Sequence, residues 1–319
     1  MNILVTGGAG FIGSNFVNQL FSDSYNLSFN DVFVLDSLTY AGSLSNIAEE
    51  VRENDHFHFI RDSINNSQIV RELVEQVDLV INFAAESHVD KSIEDPELFV
   101  ETNVLGVTNI LNALVRKGSG RLVQVSTDEV YGSIETGSWD ENFPVSPNSP
   151  YSASKASADL LCQAFHRTFD VDVAITRCSN NFGPRQYPEK LIPLAIKKLM
   201  SGSNVPIYGD GQQKREWIHV DDHCSGIALV SQLGKAGEIY NIGSSLELKN
   251  VDLISLIIAE MGLKNDRIEF VKDRLGHDLR YSVNYNKIHS ELNYAPKIDF
   301  GTGLKETVAW YVNHFSSEE

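Results

Sequence analysis

The chain of 319 residues is predicted to adopt an α/β fold, in which a doubly wound parallel sheet is followed by a smaller C-terminal domain. Three observations support this prediction. Short β-branched runs alternate with longer helical patterns through the first half, a glycine-rich turn follows the first run, and the alternation ends after Arg177. Such alternation is typical of a parallel sheet with helices on both faces.

The alternating region defines the individual elements. Strands are predicted at residues 2–6, 32–36, 56–61, 79–83, 121–126 and 171–177. Helices are predicted at residues 12–20, 68–76, 96–116 and 152–169. Run length and β-branched content distinguish the two kinds of element.

The pattern changes after Arg177, where the domain boundary is predicted. Residues 1–177 form the first domain, to which the segment 216–243 is expected to return, and residues 178–319 form the second. The second region contains a turn-rich stretch at 204–213 and helical patterns at 193–200, 251–261 and 303–314.

The charge and the cysteines exclude several classes of partner. A formal net charge of -17 disfavours nucleic acid and anionic membrane surfaces as main partners. No uninterrupted apolar run is long enough to cross a bilayer, and the glycine-rich N-terminus does not fit a signal peptide. Cys162, Cys178 and Cys224 are few and far apart, so no disulfide framework or metal site is expected, and a reducing cytoplasm fits best.

A glycine-rich turn separates the first predicted strand from the first predicted helix. Gly7, Gly10 and Gly13 permit a tight turn, close approach of the backbone to a pyrophosphate, and close helix–strand packing. The helix N-terminus adds unpaired N–H groups and a partial positive charge. The turn therefore predicts a Rossmann domain that binds a dinucleotide; the alternative is a glycine-rich turn without a ligand.

Two aspartates follow strands on the same side of the predicted sheet. Asp36 ends the second strand, where a carboxylate can accept hydrogen bonds from the adenosine ribose hydroxyls and repels a 2′-phosphate. NAD is therefore favoured over NADP. Asp62 follows the third strand and is either a contact for the adenine end or the N-cap of the next helix.

Tyr151 and Lys155 are four residues apart at the start of a helical pattern, and so lie on one helix face. A free phenol, with a pKa of about 10, is a poor base at neutral pH. A neighbouring ammonium and a nicotinamide cation would favour phenolate, which could take a proton from a substrate hydroxyl as hydride leaves for NAD. The alternative is an exposed pair on a helix surface.

Four motifs together resemble the extended short-chain dehydrogenase/reductases and, more narrowly, the dTDP-glucose 4,6-dehydratases. They are TGGAGFIG at 6–13, AAESHVD at 84–90, STDEVYG at 126–132 and YSASK at 151–155. The resemblance continues through RCSNNFGP at 177–184, YPEKLIP at 187–193 and DRLGHD at 273–278, and covers essentially the whole chain.

The resemblance implies a catalytic set made up of Thr127, Asp128, Glu129, Tyr151 and Lys155. In the family, the tyrosine deprotonates the sugar 4-hydroxyl as hydride passes from C4 to NAD, and the 4-ketone acidifies the C5 proton. By position, Glu129 removes that proton, Asp128 protonates the departing C6 hydroxyl, and Thr127 holds the 4-hydroxyl. Hydride then returns to C6. The implied reaction converts dTDP-glucose to dTDP-4-keto-6-deoxyglucose in deoxysugar biosynthesis.

The neighbouring carboxyls of Asp128 and Glu129 also make chemical sense by themselves. An elimination needs a base and an acid at the same time, and close carboxyls disfavour double ionisation, so one can remain protonated near neutral pH. The alternative is a solvated acidic turn after a strand.

The resemblance implies further contacts on both sides of the site. Cofactor-side positions, besides the glycines and aspartates above, are Phe11, Ile12, Ala84, Ala85, Thr102 and Asn103. Substrate-side positions are Ser87, Asn180, Lys190, Leu191, Tyr208, Arg215, Asn250, Arg274 and His277. The three cations among them suit a diphosphate or a base, although each could form an ordinary surface ion pair.

Several alternatives stay open. Arg185 and Glu216 depart from the commonest family pattern, which leaves the nucleotide and the pathway undecided. A 4,6-dehydratase of a UDP-sugar, a nucleotide-sugar 4-epimerase and a non-catalytic sensor of NAD or a nucleotide-sugar are the alternatives. The resemblance also implies a homodimer that pairs the helices at 96–116 and 152–169, where Leu160, Leu161 and Phe165 are apolar.

Overall fold

The computed structural model describes residues 1–264 and 266–317. Its β-strands in chain order are β1 (Ile3–Thr6), β2 (Val32–Asp36), β3 (Phe57–Arg61), β4 (Leu79–Asn82), β5 (Arg121–Thr127), β6 (Asp172–Cys178), β7 (Asn180–Phe182), β8 (Val205–Tyr208), β9 (Lys214–His219), β10 (Ile239–Ile242), β11 (Glu247–Lys249) and β12 (Ile268–Val271). Its α-helices are α1 (Phe11–Phe21), α2 (Glu49–Arg52), α3 (Ser67–Val74), α4 (Val89–Glu94), α5 (Pro96–Val100), α6 (Val107–Lys117), α7 (Pro150–Phe169), α8 (Leu191–Met200), α9 (Val220–Leu233), α10 (Asn250–Glu260), α11 (Asn286–Leu292) and α12 (Phe300–Ser316).

Seven strands form one parallel sheet in the order β10-β6-β5-β4-β1-β2-β3. The predicted α/β class with a doubly wound parallel sheet is confirmed. The chain order reverses between β1 and β4, which are direct neighbours with Thr6 opposite Asn82. In open α/β sheets, ligands bind in the crevice at the carboxyl ends of the strands where this reversal occurs.

Helices cover both faces of this sheet, as its near-continuous apolar strands require. On one face, α1 and α9 pack on each other and on a core that includes Phe16, Val34 and Tyr240. On the other face, helices α3, α6 and α7 enclose a second core that includes Leu4 and Ile110.

The C-terminal region adds two small sheets, with the orders β11-β9-β7 and β12-β8. Helices α8, α10 and α12 pack over them around a core that includes Trp217, Ile257 and Tyr311. The prediction of a turn-rich stretch at 204–213 was partly wrong, because β8 forms there and pairs with β12. Its four residues, with Pro206 inside and Gly209 after it, are too short to show a strand period without their partner.

The segment 216–243 crosses between the two regions. Most of β9 lies in this segment and pairs with β7 and β11 in the small sheet, whereas β10 pairs in parallel with β6 at the edge of the large sheet. Between them, α9 packs against α1 and the large sheet.

The helix predicted at 96–116 is interrupted. A π-helical segment, Glu101–Gly106, separates α5 from α6, and its Thr102 lines the cavity described below. Such segments are frequent at functional sites. The combined helix Pro96–Lys117 is long and apolar enough to cross a membrane by length and composition alone, and it packs through α5 and α6 against α7.

Candidate active site

A cavity of about 910 Å³ lies between the carboxyl ends of the parallel strands and the C-terminal region. Every residue that the sequence assigned to catalysis, cofactor or substrate lines it, with the exception of Asn103. Among the described residues, no group of three or more His, Cys, Asp or Glu side chains could hold a metal ion.

The glycine-rich turn forms the floor of the cavity at β1. Gly7 has a φ of +68°, and a Cβ on it would lie 2.5 Å from the backbone nitrogen of Ala84. A Cβ on Gly13 would collide with the carbonyl oxygen of Gly7. Helix α1 has no side-chain cap at Gly10, so its first N–H groups are free to bind an anion. The turn therefore fits the pyrophosphate of a dinucleotide.

The two aspartates of the predicted cofactor site are held in different ways. Asp36 is buried, and its two oxygens accept backbone hydrogen bonds from Ala9 (2.9 Å) and Leu38 (2.8 Å). Burial raises its pKa, while these two hydrogen bonds act in the opposite direction. Asp62 lines the cavity and accepts from Ser63 N–H at 2.7 Å. It is not the N-cap of α3, because Asn66 is.

Asn103 lies behind the cavity wall instead of in it. It is buried, and its amide donates to Glu86 O (3.0 Å) and Ser154 Oγ (2.9 Å) while accepting from Glu86 N–H (2.9 Å). Through these hydrogen bonds, Asn103 links the loop after β4 to α7. The resemblance identified the position, but only the packing shows which way the side chain turns.

Local sequence at the start of α7 places Tyr151 at the cavity. Ser149 caps the helix and forms a reciprocal capping box with Ser152, and Pro150 occupies the first turn, where its missing N–H costs nothing. Tyr151 is the next residue and is 9% exposed. Its ring meets Phe99 edge-on, with the ring centres 6.3 Å apart.

Lys155 lies one turn farther along α7, buried beside the end of β5. Its Nζ donates a 2.7 Å hydrogen bond to Val125 O. Burial lowers the pKa of Lys155, and Asp159 opposes that effect. Burial also raises the pKa of Tyr151 well above its usual value, reinforced by the charge of Glu129 and opposed by a hydrogen bond with Thr127. The protein surroundings of Tyr151 by themselves therefore favour the neutral phenol over the phenolate.

The two adjacent carboxyls follow β5 directly and differ in their environments. Thr127 caps the short helical turn Asp128–Tyr131, accepting from Glu129 N–H (3.2 Å) and donating to Asp128 Oδ1 (3.2 Å). Burial raises the pKa of Asp128 well above its usual value, and the charges of Glu129 and Glu216 add to the effect.

Glu129 is surrounded by more positive charge. Burial raises its pKa as well, but Arg215, Lys190 and Arg274 oppose that shift. This environment favours a protonated Asp128 beside an ionisable Glu129. The pair lines the cavity and is therefore not a solvated acidic turn.

The substrate-side residues form the opposite wall. Lys190 Nζ donates to Ser87 O at 2.8 Å, and burial lowers its pKa. Arg215 is buried, donates to Asp278 O at 2.9 Å and stacks over Tyr281 with its guanidinium 4.2 Å from the ring centre. The three predicted cations therefore lie inside the cavity and not on an open surface. The other predicted residues on this wall are Asn180, Leu191, Tyr208, Asn250, Arg274 and His277.

The two family departures lie outside the cavity lining. Arg185 adopts a left-handed backbone with a φ of 74° and donates to Asn15 Oδ1 of α1 at 3.0 Å. Glu216 is fully buried and accepts backbone N–H groups of Ser244, Ser245 and Val283. Both residues act in holding segments of the fold together.

Comparison with known proteins places the chain among nucleotide-sugar enzymes. The family model described as GDP-mannose 4,6 dehydratase matches residues 4–307. The chain belongs to this family. It is 51% identical over 317 residues to a dTDP-glucose 4,6-dehydratase of Streptomyces griseus, covering 99% of this chain and 95% of the relative.

Solved structures agree with this family membership. A dTDP-glucose 4,6-dehydratase from Streptomyces venezuelae, solved with NAD bound, superposes with a TM-score of 0.97 at 51% identity, covering 99% of this chain and 98% of that one. A UDP-glucose 4-epimerase from Thermotoga maritima shares the fold, with a TM-score of 0.89 at 28% identity over 99% and 100% of the two chains. The fold alone therefore does not separate dehydratases of this family from epimerases.

Several residues line the cavity without having been predicted as site residues, and two of them, Tyr281 and Asp90, contact predicted ones. Tyr281 lies under Arg215, and its phenol donates to Asp278 Oδ2 at 2.6 Å. Asp90 contacts Arg274 across the cavity. Asp90 stands inside the AAESHVD motif, which was the available signal, whereas no local pattern marks Tyr281.

Proposed function

We propose that this protein is an NAD-dependent dTDP-glucose 4,6-dehydratase, a lyase that forms dTDP-4-keto-6-deoxyglucose for deoxysugar biosynthesis. The observation that carries the proposal is the pair of adjacent carboxyls, Asp128 and Glu129, in one cavity with Tyr151 and Lys155. The high identity to enzymes of that name supports it.

Residues 1–177, with the returning segment 216–243, would hold the cofactor, and residues 178–319 the nucleotide-sugar. The turn from Gly7 to Gly13 has room for a pyrophosphate, and Asp36 and Asp62, which line the same cavity, would contact the adenosine half. When bound, NAD would supply the hydride acceptor for sugar C4 and the hydride donor for C6.

The first proton transfer falls to Tyr151. Its phenolate takes the proton of the sugar 4-hydroxyl, which Thr127 orients, and becomes a phenol. The buried ammonium of Lys155 stabilises the phenolate and is held in place by Val125 O. The 4-ketone that results makes the C5 proton acidic.

Water elimination then uses the two carboxyls. Glu129, whose proton affinity Arg215, Lys190 and Arg274 reduce, removes the C5 proton. Asp128, kept protonated by burial and by neighbouring carboxyls, donates a proton to the departing C6 hydroxyl. The product alkene is then reduced at C6 and protonated at C5, so the net reaction is redox-neutral.

The alternatives differ in what they require of these residues. A 4-epimerase needs the cofactor site and Tyr151 but no acid–base pair at C5 and C6. A UDP-sugar dehydratase needs the same catalytic groups but different contacts to the nucleobase. A sensor of NAD or a nucleotide-sugar needs none of the catalytic groups.

One experiment separates these functions. Purified protein with added NAD is incubated separately with dTDP-glucose and UDP-glucose, and product masses are recorded. The proposal expects loss of one water from dTDP-glucose without net reduction of NAD. An isomer of unchanged mass would indicate an epimerase, a dehydrated UDP-sugar alone would indicate the other nucleotide, and binding without conversion would indicate a sensor.

We also propose a homodimer in the cytoplasm. Leu105 of the 96–117 helix and Leu160 of α7 are 54% and 53% exposed. Leu161 and Phe165 pack partly into the core, so they contribute less exposed apolar surface. Pairing these helices with a second copy would bury an apolar surface. The three cysteines are free and buried, as suits a reducing compartment.

A further inference from the structure

Asp90 joins the two walls of the cavity. It lies on α4, which follows the loop after β4, and it contacts two side chains of the C-terminal region. Its Oδ1 is 2.7 Å from Arg274 Nε, and its Oδ2 accepts from Arg274 Nη2 at 3.2 Å. The phenol of Tyr208 donates to the same Oδ2 at 3.3 Å.

This contact fixes the orientation of Arg274. The guanidinium lies 5.1 Å from the centre of the Tyr208 ring, and the ring of His277 is edge-on to the same tyrosine. The backbone at Arg274 is held as well, because its N–H donates to Asp273 Oδ1 at 2.8 Å. Asp90 thus forms an ion pair with the guanidinium and accepts a hydrogen bond from Nη2, and both side chains line the cavity.

We propose that Asp90 is a positioning residue for nucleotide recognition, which pre-orients Arg274 and Tyr208 for the nucleotide part of the substrate. This inference rests on the proposed function, because it requires that the cavity bind a nucleotide-sugar. Asp90 acts through these two side chains, because they already engage both of its carboxylate oxygens.

The physical reason is the flexibility of arginine. An unrestrained arginine side chain loses conformational entropy when it binds a ligand. A carboxylate that already holds the guanidinium in the binding orientation reduces this entropy loss. The ion pair is partly exposed, with Asp90 33% and Arg274 25% exposed, so it contributes little to folding stability. Replacement of Asp90 therefore acts on binding and leaves the fold intact.

The test is calorimetric titration of the NAD-loaded protein with dTDP, together with steady-state kinetics on dTDP-glucose. Asp90→Asn is expected to raise the Kd for dTDP about tenfold, the scale of one charge-assisted hydrogen bond. KM should rise more than kcat falls, and Asp90→Glu should restore part of the affinity. In an Arg274→Ala background, Asp90→Asn should cause little further loss.

Glu247→Gln is the matched control, because Glu247 forms a comparable ion pair with Arg280 outside the cavity lining. Its Kd for dTDP should equal that of the wild type. An unchanged or lower Kd in Asp90→Asn, or a full additional loss in the Arg274→Ala background, would overturn the inference alone. Absence of dTDP binding by the wild type would instead overturn the proposed function and this inference with it.

Discussion

Asp36 Oδ2 accepts a 2.9 Å hydrogen bond from the backbone N–H of Ala9, inside the glycine-rich turn. The end of β2 is thereby tied to the loop between β1 and α1. The carboxylate proposed to select the cofactor also braces the turn proposed to hold its pyrophosphate.

Asp36→Ala is expected to weaken NAD binding and to relax discrimination against NADP. The hydrogen bonds lost to the ribose are worth about 1.5–3 kcal/mol if charge-assisted. Asp36→Asn can keep an acceptor for Ala9 N–H without the charge, so it should restore the turn but not the selectivity. Fluorescence titration with both cofactors measures this, and unchanged selectivity in both variants would contradict the assignment.

Glu129→Gln is expected to permit oxidation at C4 but to block loss of the C5 proton. Reduced cofactor and 4-keto sugar should then accumulate on the enzyme, and overall turnover should fall by roughly 10²–10⁴-fold. Tyr151→Phe is the contrasting variant, because it should block oxidation and give no reduced cofactor. Single-turnover absorbance and C5 exchange in heavy water are the measurements. Wild-type exchange in Glu129→Gln would mean that another group is the base.

Asp128→Asn is expected to lose activity yet gain stability at neutral and alkaline pH. Burial raises the pKa of Asp128, so the folded state binds its proton more tightly than the unfolded chain. Stability from this group is present below the unfolded pKa and is lost as pH rises through the folded pKa. The gain in Tm should therefore shrink as the pH falls toward about 4, the ordinary aspartate pKa. If the variant is less stable than the wild type at pH 8, the buried carboxyl of Asp128 does not destabilise the folded state.

Asp159→Ala is expected to destabilise the protein by about 3–5 kcal/mol, because it leaves a buried guanidinium without its counter-charge. Arg177 Nε lies 2.9 Å from Asp159 Oδ2, and both side chains are almost fully buried. Asp172→Ala is the control, since Asp172 pairs with Arg121 while 43% exposed and should cost about 0–1 kcal/mol. Urea unfolding measures both, and equal effects would refute the distinction.

Leu160→Glu is expected to shift the proposed dimer toward monomer, because it places a charge on the apolar surface of α7. Leu256 is the control position, since it is 44% exposed on α10, away from that surface. Leu256→Glu should leave the assembly unchanged. Sedimentation at micromolar protein concentration gives the mass of the assembly. A monomeric wild-type protein would contradict the proposed dimer.

The sequence by itself determined the features that depend on spacing within a few residues. The turn from Gly7 to Gly13, the end of β2 at Asp36 and the four-residue interval between Tyr151 and Lys155 are local. The strands around them were predicted to within one or two residues. Their backbone geometry follows from glycine conformation, capping and helix periodicity, which need no distant partner.

Tertiary structure decided everything that depends on which distant segments meet. Asp62 could be a cap or a cavity residue until α3 was seen to begin with Asn66 as its cap. Asn103 belongs to a π-helical segment that turns its amide toward Glu86, and β8 becomes a strand only because β12 lies beside it. Asp90 and Arg274 are 184 residues apart, and no local pattern encodes their contact. Such pairs form because the order of the strands and the packing between the two regions bring distant segments together. A local sequence pattern does not encode that arrangement.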